Sequence, residues 1–178
     1  LRFSLPPGSF FQANWALNQT LVDLAIAAVQ ESEMIADLFA GSGNFALPLA
    51  KLGKSVLAVE GFGAAVTTGQ RNAENLKLDG VRYREADLGK PASWNMVRKF
   101  SPQAAIIDPP RTGAKGVAEL LLSIPSLTRL AWVSCDVVNT LRDVKPMLAQ
   151  GWRVASMELL DMFPGTWHME VLIVLERD

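Results

Sequence analysis

One cysteine stands among 178 residues, so there is no internal disulfide framework and no cysteine-based metal cluster. No metal site is expected. Long apolar runs are missing too. Nowhere do about 18 apolar residues follow one another, and no signal-peptide pattern is visible. The chain therefore reads as cytoplasmic and free of the membrane, and a monomer is expected. An excess of either charge is also lacking: 17 Lys and Arg against 18 Asp and Glu give a net charge of −1. No global basic field holds a polyanion, which argues mildly against nucleic acid. There is no internal repeat and no low-complexity segment. What is present is 49% hydrophobic residues and 20% charged, enough for one full core, so residues 1–178 are read as one domain. The first residue is Leu1 rather than methionine, as in a piece of a longer protein.

The stretch Met34-Ile-Ala-Asp-Leu-Phe-Ala-Gly-Ser-Gly-Asn44 organises the rest. It reads as an apolar strand over 34–39, a tight glycine turn over 40–43, and a helix from Phe45 to Ala50. Glycine has no side chain and tolerates positive φ, so backbone at Gly41 and Gly43 can come close to a ligand. The spacing is not the dinucleotide fingerprint, because Ala46 stands three residues after Gly43. A second buried strand, Ser55 to Glu60, ends in a carboxylate. Ligands of α/β sheets bind beyond the carboxyl ends of strands, where Glu60 could accept both hydroxyls of a ribose. A loop that merely turns, or any nucleotide-binding α/β domain, is the plainer reading. The pairing of glycine turn and Glu60 resembles the Rossmann-like methyltransferases that depend on S-adenosylmethionine.

Hydrophobic periodicity extends the pattern. Residues 5–10 are loop by composition. A helix is predicted over Ala16–Gln30, with Leu17, Leu21, Leu24, Ala25, Ala28 and Val29 on one face. Asn14 reads equally as its N-cap or as a functional residue, whereas Gln12 has no such structural role. Ala64–Leu78 is helical with Ala65, Val66, Ala73 and Leu76 inward, and Gly80 is the expected residue past its end. Strands follow at Val81–Glu85, Ala104–Asp108 and Arg129–Ser134, with helices at 94–100, 116–124 and 139–150. In the last helix Leu141, Val144, Met147 and Leu148 are expected inward. Trp152–Leu160 and Val171–Leu175 close the chain as a hairpin. The alternation implies a doubly wound α/β fold: a mostly parallel seven-stranded sheet with a C-terminal antiparallel hairpin.

Chemistry concentrates at strand ends. Asp108 caps an apolar strand, and Pro109 and Pro110 make a stiff rim without N–H donors. Asp87 follows the third strand, where it is either a loop aspartate or an acceptor for the amine of an adenine. A lone cysteine is ordinarily a small buried hydrophobe. Cys135, however, follows the fifth strand, on the rim shared with Gly41, Glu60 and Asp108. Glu170 lies behind the aromatic passage holding Phe163, Trp167 and His168. A carboxylate in a partly apolar pocket can move protons near neutral pH, while a solvated strand-end charge is the plainer reading.

Taken in order, Phe11-Gln12-x-Asn14, Asp37-Leu-Phe-x-Gly-Ser-Gly-Asn44, Glu60, Asp108-Pro-Pro-Arg111, Ser134-Cys135, Arg142-Asp143 and the run from Asp161 to Glu170 resemble the RNA 5-methyluridine methyltransferases. The likeness runs from Phe11 to about Leu175. It implies a transferase that moves a methyl group from S-adenosylmethionine to carbon 5 of a uridine in tRNA or rRNA. It further implies Cys135 as nucleophile, Glu170 as general base, and Gln12, Phe39, Asn44, Glu60, Asp87 and Asp108 as cofactor contacts. Asp136-Val137 replaces the usual Asn-Pro after the nucleophile, and Asn139 stands where threonine is common. Such proteins carry an N-terminal RNA-binding domain, which is not expected within residues 1–178; a polyanion-gripping surface placed there would explain the neutral charge. Two other readings remain open: an amino-group methyltransferase working through Asp108-Pro-Pro, and a non-catalytic cofactor- or RNA-binding module.

Overall fold

Five strands run parallel. In the computed structural model, residues 1–8, 12, 14–162, 164–166 and 169–178 are described. Phe11, Phe163, Trp167 and His168 lie outside them. The strands are β1 (Met34–Leu38), β2 (Ser55–Glu60), β3 (Val81–Glu85), β4 (Ala104–Ile107), β5 (Arg129–Ser134), β6 (Arg153–Leu160) and β7 (Glu170–Glu176). The sheet order is β3-β2-β1-β4-β5-β7-β6. All neighbours are parallel except β7, which runs antiparallel to both β5 and β6. The doubly wound, seven-stranded sheet with a closing hairpin is thus as expected.

Burial explains the sequence pattern. β1, β4 and β5 are covered on both faces, so they are nearly continuous apolar runs. The edge strand β3 buries only Tyr83. Helices α1 (Trp15–Val29), α2 (Ala46–Lys51) and α3 (Gly63–Asn75) contribute Leu21, Leu47 and Val66 to one core layer. Helices α4 (Trp94–Phe100), α5 (Val117–Leu122) and α6 (Val137–Ala149) contribute Trp94, Leu121 and Met147 to the other. Each fully buried large apolar side chain adds about 1.5–3 kcal/mol. Asn14 is the N-cap of α1, its side chain accepting from Leu17 N at 3.2 Å.

Two expectations need correction. α3 stops at Asn75, and Lys77, not Gly80, takes the left-handed conformation with φ 55°. Gly80 is needed for space instead, since a Cβ there would lie 2.6 Å from the Lys54 carbonyl. In α6, Val144 and Met147 face inward, but Leu141 and Leu148 are exposed. Thr140 and Asp143 take the inward places, because Asp143 turns in to accept the Ala114 N–H at 2.7 Å. At the far edge, β6 leaves Val154, Met157 and Leu159 exposed. They stand opposite Leu175, Ile173 and Val171 on one face.

Tyr83, the only tyrosine, presses its ring between the glycine turn and α3. A Cβ on Gly69 would lie 2.3–3.0 Å from the ring, and one on Gly43 would lie 2.1 Å from the hydroxyl. Gly69→Ala is therefore expected to overpack this contact and lower stability by about 1–3 kcal/mol, measured by urea unfolding; an unchanged midpoint would refute the contact.

Candidate functional site

Four of the five parallel strands, β2, β1, β4 and β5, deliver their carboxyl ends to the edge that holds the site. Leu38 is level with Val59 and with Ile107, and Ile107 with Trp132. The residues just beyond line a cavity of about 650 Å3, together with part of the N-terminal segment. Its wall includes Gln12, Phe39, Gly41, Asn44, Glu60, Asp108, Cys135 and Glu170. Eight of the nine residues singled out from the sequence are therefore together. Asp87 is not among the lining residues. It is exposed, accepts the Gly89 N–H at 2.9 Å, and lies 3.6 Å from Lys90 Nζ.

Backbone and carboxylate shape the glycine side. Phe39 adopts a left-handed φ of 62°, which turns the chain sharply out of β1. Gly41 and Gly43 follow at 53° and 106°. Glu60 ties this turn to the start of α3: one carboxylate oxygen accepts from Gly41 N at 2.9 Å and the other from Phe62 N at 2.8 Å. Each oxygen keeps a lone pair for a hydroxyl. Asn44 forms a reciprocal amide pair with Asn18 of α1, at 2.9 and 3.0 Å, and so fastens the turn to that helix.

Two polar atoms at the site, Gln12 Oε1 and Ser42 Oγ, have no partner among the described residues. Gln12 and Ser42 line the cavity itself. Buried polar atoms left unpaired cost about 1–3 kcal/mol each, so their presence here points to a polar ligand.

The acidic groups are raised by their surroundings. Burial pushes Asp37 well above the ordinary carboxylate range; the Ala46 N–H partly offsets this, and Asp108 and Glu60 add to it. Burial, with the Asp37 charge behind it, also raises Tyr83. Burial lifts Asp108 to about 7. Glu170, only 4% exposed, is also at about 7, through burial and the Asp108 charge, against the pull of Arg111. The half-buried Cys135 thiol is raised by burial and then by Glu170, while the Arg111 guanidinium lowers it by charge and hydrogen bond.

β7 brings Glu170 to Cys135. Because β7 is antiparallel, its first residue sits at the edge where the parallel strands end. Ser134 and Val171 form the last pair of that ladder; Cys135 and Glu170 are the next residues outward, both line the cavity, and the Glu170 charge acts on the thiol.

Sequence reasoning gave no role to Arg111, although Asp108-Pro-Pro-Arg111 was visible as a unit. It also passed over the N-terminal segment, read only as loop from Leu5. Asn72 of α3 grips Ser4 by two backbone hydrogen bonds of 2.8 and 2.9 Å, and Phe3 and Leu5 wall the cavity. No local signal in residues 1–8 foretells a partner 68 positions away.

This strand order, with a glycine turn and a cavity at the carboxyl edge, defines a Rossmann-like methyltransferase domain. The chain matches the tRNA (Uracil-5-)-methyltransferase family over residues 1–178 and belongs to it. It is 37% identical over 178 residues to the 23S rRNA (uracil(1939)-C(5))-methyltransferase RlmD of Pseudomonas putida, covering 99% of this chain and 39% of that protein. The RlmD of Yersinia enterocolitica is 38% identical over 180 residues, with 100% and 40% covered. Among solved structures, the Pyrococcus abyssi tRNA (uracil-54, C5)-methyltransferase in complex with S-adenosyl-L-homocysteine superposes with a TM-score of 0.80 at 32% identity. It covers 95% of this chain and 40% of that one. The chain thus spans about 40% of the length of these relatives.

The electrostatics give a testable sign. An ionised Glu170 opposes formation of the Cys135 thiolate, so Glu170→Gln should lower the thiol pKa. Iodoacetamide should alkylate that variant several-fold faster than wild type at about pH 8, where Glu170 is charged; slower alkylation would contradict this.

Proposed function

We propose that the domain methylates carbon 5 of a uridine in RNA, with Cys135 as nucleophile, Glu170 as general base and S-adenosylmethionine as methyl donor. The juxtaposition of Cys135 and Glu170 across the β5–β7 pair, inside the cavity, carries this reading. The pair stands alongside a wall that suits the donor. Glu60 offers acceptors to a ribose, and Gln12 Oε1 and Ser42 Oγ offer unpaired polar atoms to the amino acid portion. Asp108 supplies negative potential for a cationic group. When bound, S-adenosylmethionine supplies an electrophilic methyl group on a sulfonium.

The side chains account for the remaining chemistry. Carbon 5 of uracil is too weak a nucleophile unaided. The Cys135 thiolate adds to carbon 6, and the displaced π electrons form an enolate that makes carbon 5 nucleophilic. After carbon 5 is methylated, Glu170 removes its proton. The electron pair reforms the carbon 5–carbon 6 double bond and expels the thiolate. A base at about 7 is poised for this transfer, so the rate should rise as pH passes upward through 7. The target base must leave its stack to enter the cavity. Arg111 and Lys115 stand exposed on the loop after β4 and offer phosphate contacts. They give the mouth a local positive rim despite the net charge of −1.

Cys135→Ser should lose on the order of 10³-fold or more in methyl transfer while retaining S-adenosylmethionine binding. Wild type, but not the variant, should form a covalent adduct with RNA containing 5-fluorouridine, whose carbon 5 carries no removable proton. Normal methylation by Cys135→Ser would exclude the mechanism and favour the amino-group alternative. Loss of one 5-methyluridine from the RNA of cells lacking the gene, read by mass spectrometry, identifies the target.

A further inference from the structure

Beyond the proposed nucleophile the chain carries Asp136 and, three residues on, Asn139. The structure gives this pair a joint task. Asp136 is the N-cap of α6, one carboxylate oxygen accepting from Asn139 N at 2.9 Å. Its other oxygen accepts from Asn139 Nδ2 at 2.8 Å. The same Nδ2 also donates to the Arg111 carbonyl at 3.2 Å. Asn139 Oδ1 accepts from Arg142 Nη1 at 2.8 Å. All three amide functions of the Asn139 side chain and backbone are therefore used, and they join two segments 28 residues apart.

Both segments are otherwise tightly formed. The Cys135 segment is locked by Ser134 Oγ, which accepts from Asp136 N at 3.0 Å, and by the Asp136 carbonyl, which accepts from Thr140 Oγ1 at 2.8 Å. The Arg111 segment is a turn closed from Gly113 N to Pro110 O at 2.8 Å. A Cβ on Gly113, which has φ +79°, would lie 2.5 Å from the Asp143 carboxylate and 2.7 Å from Arg142 Nη2. Asp143 and Arg142 hold the far half of that turn, at Ala114 N and Thr112 O. Among the described residues, Asn139 is the side chain bonded to the Arg111 backbone.

We propose that Asn139, oriented by Asp136, is a positioning residue that holds the Arg111 turn against the Cys135 segment and so keeps the guanidinium beside the thiol. The groups bearing on that thiol are Arg111 from the turn and Glu170 from β7; Asp108 acts on Glu170 from the end of β4. Arg111 is the cation among them, and with a backbone hydrogen bond at Cys135 it favours thiolate. Releasing its backbone weakens that charge and its hydrogen bond to the thiol. The inference rests on Cys135 being the reacting group, but its test needs neither RNA nor donor.

Cys135 is the only cysteine, so iodoacetamide reports on it alone. Alkylation rates of wild type, Asn139→Ala, Arg111→Ala and the double variant are measured from about pH 6 to pH 10, with thermal midpoints and S-adenosylmethionine affinity alongside. Asn139→Ala should shift the alkylation midpoint upward, slow alkylation several-fold at neutral pH, and leave cofactor affinity unchanged. Arg111→Ala should shift it at least as far, and adding Asn139→Ala should add nothing further. In methyl transfer, kcat of Asn139→Ala should fall several-fold with KM for the donor unchanged. A profile superimposable on wild type, or additive shifts in the double variant, would overturn the proposal. Should Asn139→Ala melt early, Asn139→Thr serves in its place: it removes the reach to Arg111 but keeps a polar first turn, and an unshifted profile there also overturns it. If the uridine reading itself failed, Cys135→Ser would methylate normally while the alkylation result stood.

Discussion

The register of the parallel strands is the constraint on which the rest depends. Side chains alternate faces along a strand, so a slip of one residue would exchange core and solvent faces throughout. With Leu38, Val59, Ile107 and Trp132 level across β2, β1, β4 and β5, the chain leaves the sheet at one edge. Phe39, Glu60, Asp108 and Cys135 are then neighbours although spread over nearly a hundred positions. The antiparallel placement of β7 completes the set, since a strand running the other way brings its beginning, Glu170, to the edge where the others finish.

Much of this was legible in residue order. Apolar runs bounded by turn residues gave the strands, because strands buried on both faces need no polar alternation. The glycine turn and the terminal carboxylate of β2 gave the mouth of the sheet. Less legible were contacts made by side chains across distance. Asp143, noted only as part of the Arg142-Asp143 motif, faces inward to reach Ala114 N and rotates the buried stripe of α6 away from Leu141 and Leu148. Asn72, given no role from the sequence, clasps Ser4. Asp87 shows the converse. Its position beyond β3 suggested the cavity, while in the fold its carboxylate folds back on Gly89 N.

Electrostatically the mouth is built from opposing demands. Asp37, Asp108 and Glu170 are all raised by burial, and the Asp108 charge adds to it at Asp37 and at Glu170. Such a group of acids favours an incoming cation, and a sulfonium donor would relieve part of the strain. As the proposed nucleophile, the thiol has the reverse requirement, since a thiol attacks as its anion. Arg111 serves both by lowering Glu170 and Cys135 together. A basic residue placed directly after a pair of prolines is held on a short, stiff arm, which suits a charge whose value depends on distance.

The outer strand β6 has a bearing on how copies of the domain behave toward each other. Val154, Met157 and Leu159 form a hydrocarbon strip beside main-chain groups that lack a neighbouring strand. A net charge of −1 supplies almost no colloidal repulsion between molecules. What restrains edge-to-edge stacking is local: the charges of Arg153 and Glu158, and the register irregularity between Val154 and Ser156 that spoils a flat template. The solubility of this domain therefore depends on a few gatekeeping positions on one strand rather than on its surface as a whole.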